Sequence, residues 1–296
     1  MDFGEIESAL SLGERFLRWL KRSKPNPEAS TLVSRFIHVF KQHGVHQNQI
    51  PRFFGHDLTV ADMQDDQILL SKLSEGILAD VCDLFVIRRE WLDGASDQIH
   101  PTYDFYKKPE DFAKFIDELL LKTPDGNLSG VLVAPLEVSD DAEALLILQE
   151  TIAYIGDKPI YRFYLCDNWY FSYWKARAYL TACVASAWQR TCYVHGIYKP
   201  KAFIDQLNEG KTLLGWKGEG LWALGHKNWD PEYMLYDPDL FLKGIDPEIN
   251  DFGITSGLEL WLELAKQGLM VTDCEPSVQR FEEKLVETNA QKVRNK

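Results

Sequence analysis

The residues best suited to chemistry lie in an aromatic segment over residues 161–177. A ligand pocket combines apolar walls with a few fixed polar groups, and this segment supplies both kinds of side chain. Its large rings are split between a predicted strand end and a predicted helix start, so they cannot all point into one core layer. We expect Tyr164, Trp169 and Trp174 to line a cavity beside Arg177 and to contact a small ligand or a partner side chain. The alternative is an aromatic-rich core.

Familiar catalytic and metal-binding patterns are absent from the sequence. There is no Gly-x-Ser-x-Gly elbow, no Gly-rich phosphate loop and no His-Glu-x-x-His pair. Cys192 and His195 would lie on opposite faces of one strand, which argues against a catalytic dyad. The early histidines, His43 and His46 among them, have no zinc-ligand spacing, and we expect them to be solvated at helix ends. The sequence therefore predicts no cofactor and no metal, and it favours a protein that is not an enzyme.

The formal net charge of −13 is distributed unevenly. Residues 14–52 carry eight Lys or Arg against two acids, a local balance of +6, whereas residues 57–83 carry seven acids against one Lys, a local balance of −6. An evenly acidic surface would repel nucleic acid, so any DNA site must be narrow and must use the basic stretch. The residues that we expect at such a site are Arg35, Lys41, Gln47, Asn48, Gln49 and Arg52.

The predicted elements over residues 1–96, which would position the DNA-binding residues, are all helices. Apolar residues at helical spacing, followed by a Pro-containing stretch, predict an amphipathic helix and a short linker over residues 1–27. A compact set of helices follows over residues 28–96. Ser30 can cap a first helix over residues 31–43, and residues 46–54 form a second. Thr59 has the spacing of a capping box that opens a third, and a longer helix carries an apolar seam over residues 70–84.

The helical set resembles a known family. Residues 84–94, LFVIRREWLDG, are similar to the closing helix of the lambda-repressor-like (XRE) helix-turn-helix family, and residues 40–55 resemble that family's first helix, turn and second helix. The resemblance implies a DNA-binding module. The stretch that should read bases, residues 59–67, offers three Asp and no Arg or Lys, although base edges are normally read by Arg, Lys, Asn or Gln. A module that keeps the fold and has lost DNA contact is therefore the alternative.

Beyond residue 94 the predicted elements change in character, because short apolar runs alternate with helical periods. One predicted helix, over residues 174–190, carries small residues on nearly every side, which predicts a central position. The expected fold class is α+β or α/β, with a small all-helical N-terminal module, a larger mixed-sheet domain with packed helices over residues 97–272, and a polar tail over residues 273–296. The predicted strands are 130–136, 160–165 and 192–197, the other predicted helices are 109–120, 141–154, 200–209 and 256–267, and 213–224 is a predicted hairpin.

The first residues and the cysteines bear on location. Acidic residues stand where a secretory leader would be basic, and no apolar run approaches the roughly 18 residues of a membrane span. The five cysteines are scattered without any Cys-x-x-Cys pair, which argues for reduced, mostly buried thiols. We therefore expect a cytoplasmic protein that spans no membrane.

These expectations combine into a regulatory function. We expect a bacterial-type transcriptional regulator whose helical module binds duplex DNA and whose aromatic-rich domain senses a small ligand or contacts a partner protein, with a homodimer as one possible form. The first alternative is a protein-interaction adaptor that no longer binds DNA, and the second is an enzyme with an unrecognised site in the aromatic segment. A DNA affinity that falls steeply with salt would separate the regulator from both, because phosphate contacts release counterions.

Overall fold

The computed structural model describes residues 31–122, 127–137, 139–245, 253–272 and 277–294. The amphipathic helix and linker predicted for residues 1–27 lie outside these ranges, and so does Cys274. Within these ranges, every helix is too short or too polar to cross a lipid bilayer.

Short helices build the N-terminal module. Thr31 caps the first of them, because its hydroxyl accepts a hydrogen bond from the Ser34 amide at 3.1 Å, so the cap lies one residue later than predicted. Aromatic rings fill the module's core, where the ring of Phe40 lies 5.1 Å from that of Phe36 and 5.1 Å from that of Phe85. The elements are α1 (Leu32–Gln42), a 3-10 turn (Gln47–Gln49), α2 (Ile50–Phe54), a 3-10 turn (Asp62–Gln64), α3 (Asp66–Lys72), α4 (Glu75–Phe85) and α5 (Arg89–Asp93).

The single long helix predicted over residues 70–84 is wrong, because the structure divides it into α3 and α4. Ser74 opens α4 by accepting a hydrogen bond from the Ile77 amide at 3.4 Å. Ser is a favoured N-cap because its hydroxyl satisfies a free backbone donor. The predicted closing helix is divided too, since Val86 adopts a left-handed conformation with φ of 52° between α4 and α5.

A five-stranded mixed sheet forms the centre of the larger portion, which confirms the predicted fold class. The strand order is β1-β4-β3-β2-β5. β1 is parallel to β4, β2 is parallel to β5, and β3 is antiparallel to both of its neighbours. All strands except β3 therefore run in one direction, with their carboxyl ends at one edge. The strands are β1 (Thr102–Asp104), β2 (Leu128–Pro135), β3 (Glu143–Ile155), β4 (Lys158–Tyr170) and β5 (Tyr193–Lys199).

The helix predicted over residues 141–154 is wrong, because this stretch is strand β3. Every residue from Ala144 to Glu150 is buried, since both faces of the sheet are covered. A strand buried on both faces shows no alternation of apolar and polar residues, so periodicity cannot separate it from a buried helix.

Helices cover both faces of the sheet. α6 (Pro109–Lys122) and α7 (Trp174–Gln189) pack on one face, in a core that includes Leu132 and Leu148. α8 (Lys201–Asn208) and the loop after it pack on the other face, against Val133 and Phe163. α7 is buried around almost its whole circumference, which confirms the central position predicted for it.

The hairpin predicted over residues 213–224 is also wrong, because this region is a loop of short helical turns. Gly215 has a φ of 120°, and a Cβ placed there would lie 2.5 Å from the Gln42 carbonyl oxygen, so only glycine fits where the loop crosses the end of α1. The turns are Trp216–Gly218, Gly220–Leu224 and Pro231–Leu235, followed by α9 (Pro238–Leu242).

Two further helices close the described chain, α10 (Gly253–Lys266) and α11 (Val278–Arg294). The ring of Phe281 in α11 is fully buried and stacks on Trp261 of α10 at 3.6 Å. Most of the predicted polar tail is therefore a helix that is anchored on the α/β portion.

Two buried histidines join the helical module to the α/β portion, His43 at strand β4 and His100 at the loop around Leu214. The burial of His43 corrects the expectation that it is solvated. The ring of His43 lies 4.1 Å from that of Phe85 and 6.0 Å from that of Phe163 on β4. His100 accepts a hydrogen bond from the Leu214 amide at 3.1 Å. Burial lowers the pKa of His43 to about 3 and that of His100 to about 4, so both rings are neutral near pH 7.

The module and the sheet also meet through backbone. A Cβ placed on Gly44 would lie 2.9 Å from the Gly218 Cα, so these two glycines allow a close crossing. Lys158, at the start of β4, donates to the Lys217 carbonyl at 3.1 Å and to the Gly44 carbonyl at 3.4 Å. This junction lies at the hairpin between β3 and β4, opposite the carboxyl ends of the parallel strands.

Candidate ligand-binding site

A bulge near the end of β4 sets the path of the aromatic segment. Asn168 has a φ of 66°, and the register against β3 shifts so that β4 carries one extra residue between Cys166 and Trp169. Asn tolerates this left-handed conformation better than most residues. Such bulges re-aim the side chains that follow them. Here the Trp169 ring enters the core, and Phe171 and Ser172 reach the carboxyl edge of the sheet.

A cavity of about 250 Å³ lies at this edge, where β2 and β5 end and α7 begins. Sheets with parallel strands commonly bind ligands outside the carboxyl ends of those strands. An apolar cavity of about 150 Å³ can hold a benzene molecule, so the present cavity has room for a ligand of one or two rings. Its lining residues are Pro135, Leu136, Ser139, Phe171, Ser172, Tyr198, Lys243 and Gly244.

Stacked rings support the aromatic wall. Tyr198 stacks on Trp229 with centroids 5.6 Å apart and planes 15° apart, and Phe171 meets the same indole at 6.4 Å. Trp229 can approach because it lies over Gly196 of β5, where an added Cβ would stand 2.5 Å from the indole Cε2. The Gly196 amide also donates to the Trp229 carbonyl at 2.9 Å. Both wall rings are thus fixed from behind.

Arg177 is a buried cation behind the Phe171 wall. Its guanidinium lies 3.5 Å from the Phe171 ring centroid, and it donates to the carbonyls of Phe171 at 2.6 Å, Phe241 at 2.9 Å and Lys243 at 3.1 Å. These acceptors are neutral, and no carboxylate of the described residues forms an ion pair with it. Burial lowers the pKa of Arg177 to about 9, so the group remains positively charged near pH 7.

The polar side-chain groups of the lining are the two serine hydroxyls, the Tyr198 hydroxyl and one ammonium. Ser172 donates to the Ser139 carbonyl at 3.1 Å, and Ser139 donates to the Asp141 carboxylate at 2.9 Å. Asp141 in turn lies 3.4 Å from the Lys201 ammonium. The exposed Lys243 side chain places its ammonium 5.6 Å from the Tyr198 ring centroid. The cavity therefore has an apolar interior and a cation at its mouth.

The rings predicted to line a cavity lie elsewhere. Trp169 is fully buried and donates to the Cys166 carbonyl at 3.1 Å. Tyr164 donates to the buried Glu150 carboxylate at 2.6 Å. Trp174 is half-buried at the start of α7. None of the three borders the cavity described above, whereas Arg177 lies directly behind its wall.

Sequence reasoning missed most of the lining because it comes from separate stretches of chain. Ser139 follows β2, Tyr198 stands near the end of β5, and Lys243 follows α9. A usable signal existed, since both predicted strands 130–136 and 192–197 end beside lining residues. That signal has meaning only once β2 and β5 are known to be parallel neighbours.

Arg35, predicted to bind DNA, is turned toward the protein. Its Nε donates to the Leu92 carbonyl at 2.7 Å, and its guanidinium lies beside Gly94, the residue that ends α5. A half-buried side chain in this position closes the end of a helix. The structure therefore gives Arg35 an internal structural contact.

The amide side chains among the other predicted DNA residues bond to neighbouring parts of the module. Gln47 donates to the Met63 carbonyl, and Asn48 accepts a hydrogen bond from the Gln64 side chain at 3.0 Å. Gln49 accepts a hydrogen bond from the His46 amide at 2.9 Å. The structure leaves two basic side chains of this set exposed, those of Lys41 and Arg52.

The stretch expected to read bases is not one helix. The Asp62 carboxylate accepts hydrogen bonds from the Thr59 amide and hydroxyl, both at 2.8 Å, and a 3-10 turn of three residues follows. Asp65 then caps α3, which starts at Asp66. The predicted capping box thus closes a tight turn, and residues 59–67 include a helix break.

The described part of the chain offers few candidate metal ligands and few candidate nucleophiles. There, no three His, Cys, Asp or Glu side chains converge to hold a metal. Cys82, Cys166, Cys183 and Cys192 are buried and unpaired, and burial raises the pKa of each thiol. Protonated, buried thiols are poor nucleophiles.

No family model, curated protein or solved structure matches this chain. The geometry of the cavity therefore has to carry any functional interpretation.

Proposed function

We propose that this chain is a regulatory protein that binds a small aromatic ligand in the cavity at the carboxyl edge of its sheet. The observation that carries the proposal is the combination of two fixed rings, Phe171 and Tyr198, with an apolar interior and few polar groups. Pockets that recognise small molecules have this composition. The Ser172 hydroxyl donates its hydrogen bond to the Ser139 carbonyl rather than to a basic side chain, which favours binding over catalysis.

The size of the cavity sets the expected affinity. A ligand of about a dozen heavy atoms that gains roughly 0.5 kcal/mol from each would bind with a Kd on the order of 10 to 100 µM. Aromatic pairs add about 0.5 to 1.5 kcal/mol beyond the area that they bury, so ring stacking should dominate recognition.

One- and two-ring aromatic fragments, both charged and neutral, should bind at this cavity. We expect fragments at millimolar concentration to shift the methyl NMR signals of Leu136, which lines the cavity. Tyr198→Ala should weaken such binding at least tenfold, because it removes a stacked wall. Tyr154→Ala is the matched control, since Tyr154 is 56% exposed at the opposite edge of the sheet. Unshifted Leu136 signals, or equal binding by the two variants, would overturn the proposal.

Duplex DNA binding by the helical module is a second candidate. It is favoured by the exposed Lys41 and Arg52, which precede and follow residues 47–49 in the chain. Lys and Arg contacts to phosphates supply most non-specific DNA affinity. The acidic residues 57–83 confine such a surface to a small area, and the adaptor alternative applies if that area does not bind DNA.

Charge reversal of Lys41 and Arg52 to Glu should abolish measurable binding to random duplex DNA. A single reversal should lower the slope of log K against log salt by about one unit, because one phosphate contact is lost. Arg35 is left intact because its contact with Leu92 is internal. The exposed Lys108 and Lys122, both changed to Glu, serve as the control for net charge. Wild-type affinity and slope in the Lys41 and Arg52 variant would leave the adaptor function as the better proposal.

A further inference from the structure

We propose that the ligand is a planar aromatic carboxylate, with its ring between Phe171 and Tyr198 and its anionic group at the Lys243 ammonium. This inference rests on the proposed function of the cavity. It names the chemical class that the cavity selects.

The cavity is flanked by cations in a chain whose formal net charge is −13. Lys243 supplies one charge at the mouth, and Arg177 supplies another behind the Phe171 ring. The two are linked, because Arg177 donates to the Lys243 carbonyl at 3.1 Å and so fixes the backbone that carries the ammonium. A ligand at the mouth would meet positive charge from two directions.

The charge of Arg177 is not balanced by its own contacts. The residue is 1% exposed, its hydrogen-bond acceptors are backbone carbonyls, and its Nε is buried without a partner among the described residues. A buried charge that lacks a counter-ion is costly, and a nearby anion would offset that cost. The cavity is where such an anion has room.

Among the described residues, Asp141 places a carboxylate against a lining residue. It accepts a hydrogen bond from Ser139 and lies 3.4 Å from the Lys201 ammonium. Its charge is therefore already paired outside the cavity, and its side chain is exposed to solvent. Its pairing with Lys201 offsets its repulsion of an anion held at Lys243.

The lining favours a carboxylate over a phosphate. A phosphate carries more charge and more acceptor oxygens than a carboxylate, and its sites use several converging donors. This cavity offers one ammonium, and both of its serine hydroxyls already donate to protein oxygens. Apart from the Tyr198 hydroxyl, its remaining side chains are aromatic or aliphatic, which suits a ring with a single anionic group.

Matched ligand pairs test the inference. We expect 2-naphthoate to bind at least tenfold more tightly than uncharged 2-naphthamide, measured by titration calorimetry at low salt. Lys243→Met should weaken 2-naphthoate about tenfold and leave the amide unchanged, while Lys243→Arg should retain the preference. Lys175→Met is the control, because the Lys175 ammonium lies over Trp174 and outside the cavity lining. The Lys243 side chain is exposed, so its replacement should not disturb folding.

The outcomes separate the inference from the proposed function. Equal binding of acid and amide would overturn the carboxylate assignment and leave the aromatic cavity standing. Binding of neither probe, together with unshifted Leu136 signals for all fragments, would overturn both. A Lys243→Met variant that loses both probes equally would show that Lys243 acts through packing, which also contradicts the inference.

Discussion

Trp169→Ala should lower the free energy of unfolding by about 3 to 5 kcal/mol, which is the usual cost of removing a fully buried large ring. The Trp169 side chain has no exposed surface, and its indole nitrogen donates to the Cys166 carbonyl. Trp174→Ala should cost about 1 to 2 kcal/mol, because that ring is half-buried at the start of α7 and leaves a gap open to water. Urea denaturation of both variants measures the two losses.

Solvent quenching provides an independent measurement for the same pair. In the unmodified protein, acrylamide should quench the emission of Trp174 and should hardly affect that of Trp169. The emission of each ring is the difference between the unmodified protein and the corresponding Ala variant. Trp169→Phe is the conservative control and should recover part of the stability, because it refills much of the core volume. Equal losses for the two Ala variants, with equal quenching, would contradict the positions of these rings.

The second large effect concerns the buried ion pair between Glu150 on β3 and Arg162 on β4. Two hydrogen bonds join the side chains at 2.6 and 2.7 Å, and Tyr164 donates to the same carboxylate. The Glu150 side chain is 2% exposed and that of Arg162 is 17% exposed. Arg162→Met should therefore cost about 3 to 5 kcal/mol, since it leaves a buried carboxylate without its cation.

Replacing both partners should be milder than replacing one. In the double variant Glu150→Leu with Arg162→Met no buried charge remains, so we expect a smaller loss than for Arg162→Met alone. The exposed pair of Lys114 and Asp111 supplies the control, and Lys114→Met should cost less than about 1 kcal/mol. Denaturant midpoints with unchanged slopes give the values. A double variant as unstable as the single one would mean that Arg162 acts mainly through packing.

The sequence predicted secondary-structure elements best where their residue types follow a clear pattern, either along one face or around the whole element. α7 was recognisable as central because small residues cover its circumference, and the structure buries it. β3 was misassigned because Ala144 through Glu150 are buried on both faces, so the two structural periods could not be told apart. The fold class survived this error because the neighbouring strands were correctly placed.

The cavity was less predictable than the fold. The aromatic segment does reach it, yet through Phe171 rather than Trp169, because the bulge at Asn168 adds one residue to β4 and turns the larger ring inward. A left-handed Asn inside a strand has no strong sequence signature. The exposure of a charged residue is equally hard to predict from sequence. Arg35 was predicted to bind DNA, and only the fold reveals that its guanidinium binds the Leu92 carbonyl.

The crossing of Gly44 over Gly218 bears on how this chain can evolve. A helical module that was joined to its neighbour by a linker alone could be transferred between genes as an independent domain. Here the glycine crossing and the neutral rings of His43 and His100 fit the helical module to the loop that contains Leu214 and Gly218, and to strand β4. A transplanted copy would expose the buried His43 imidazole to water and would lose its matching surface. We therefore expect the helical module and the α/β portion to have been inherited together.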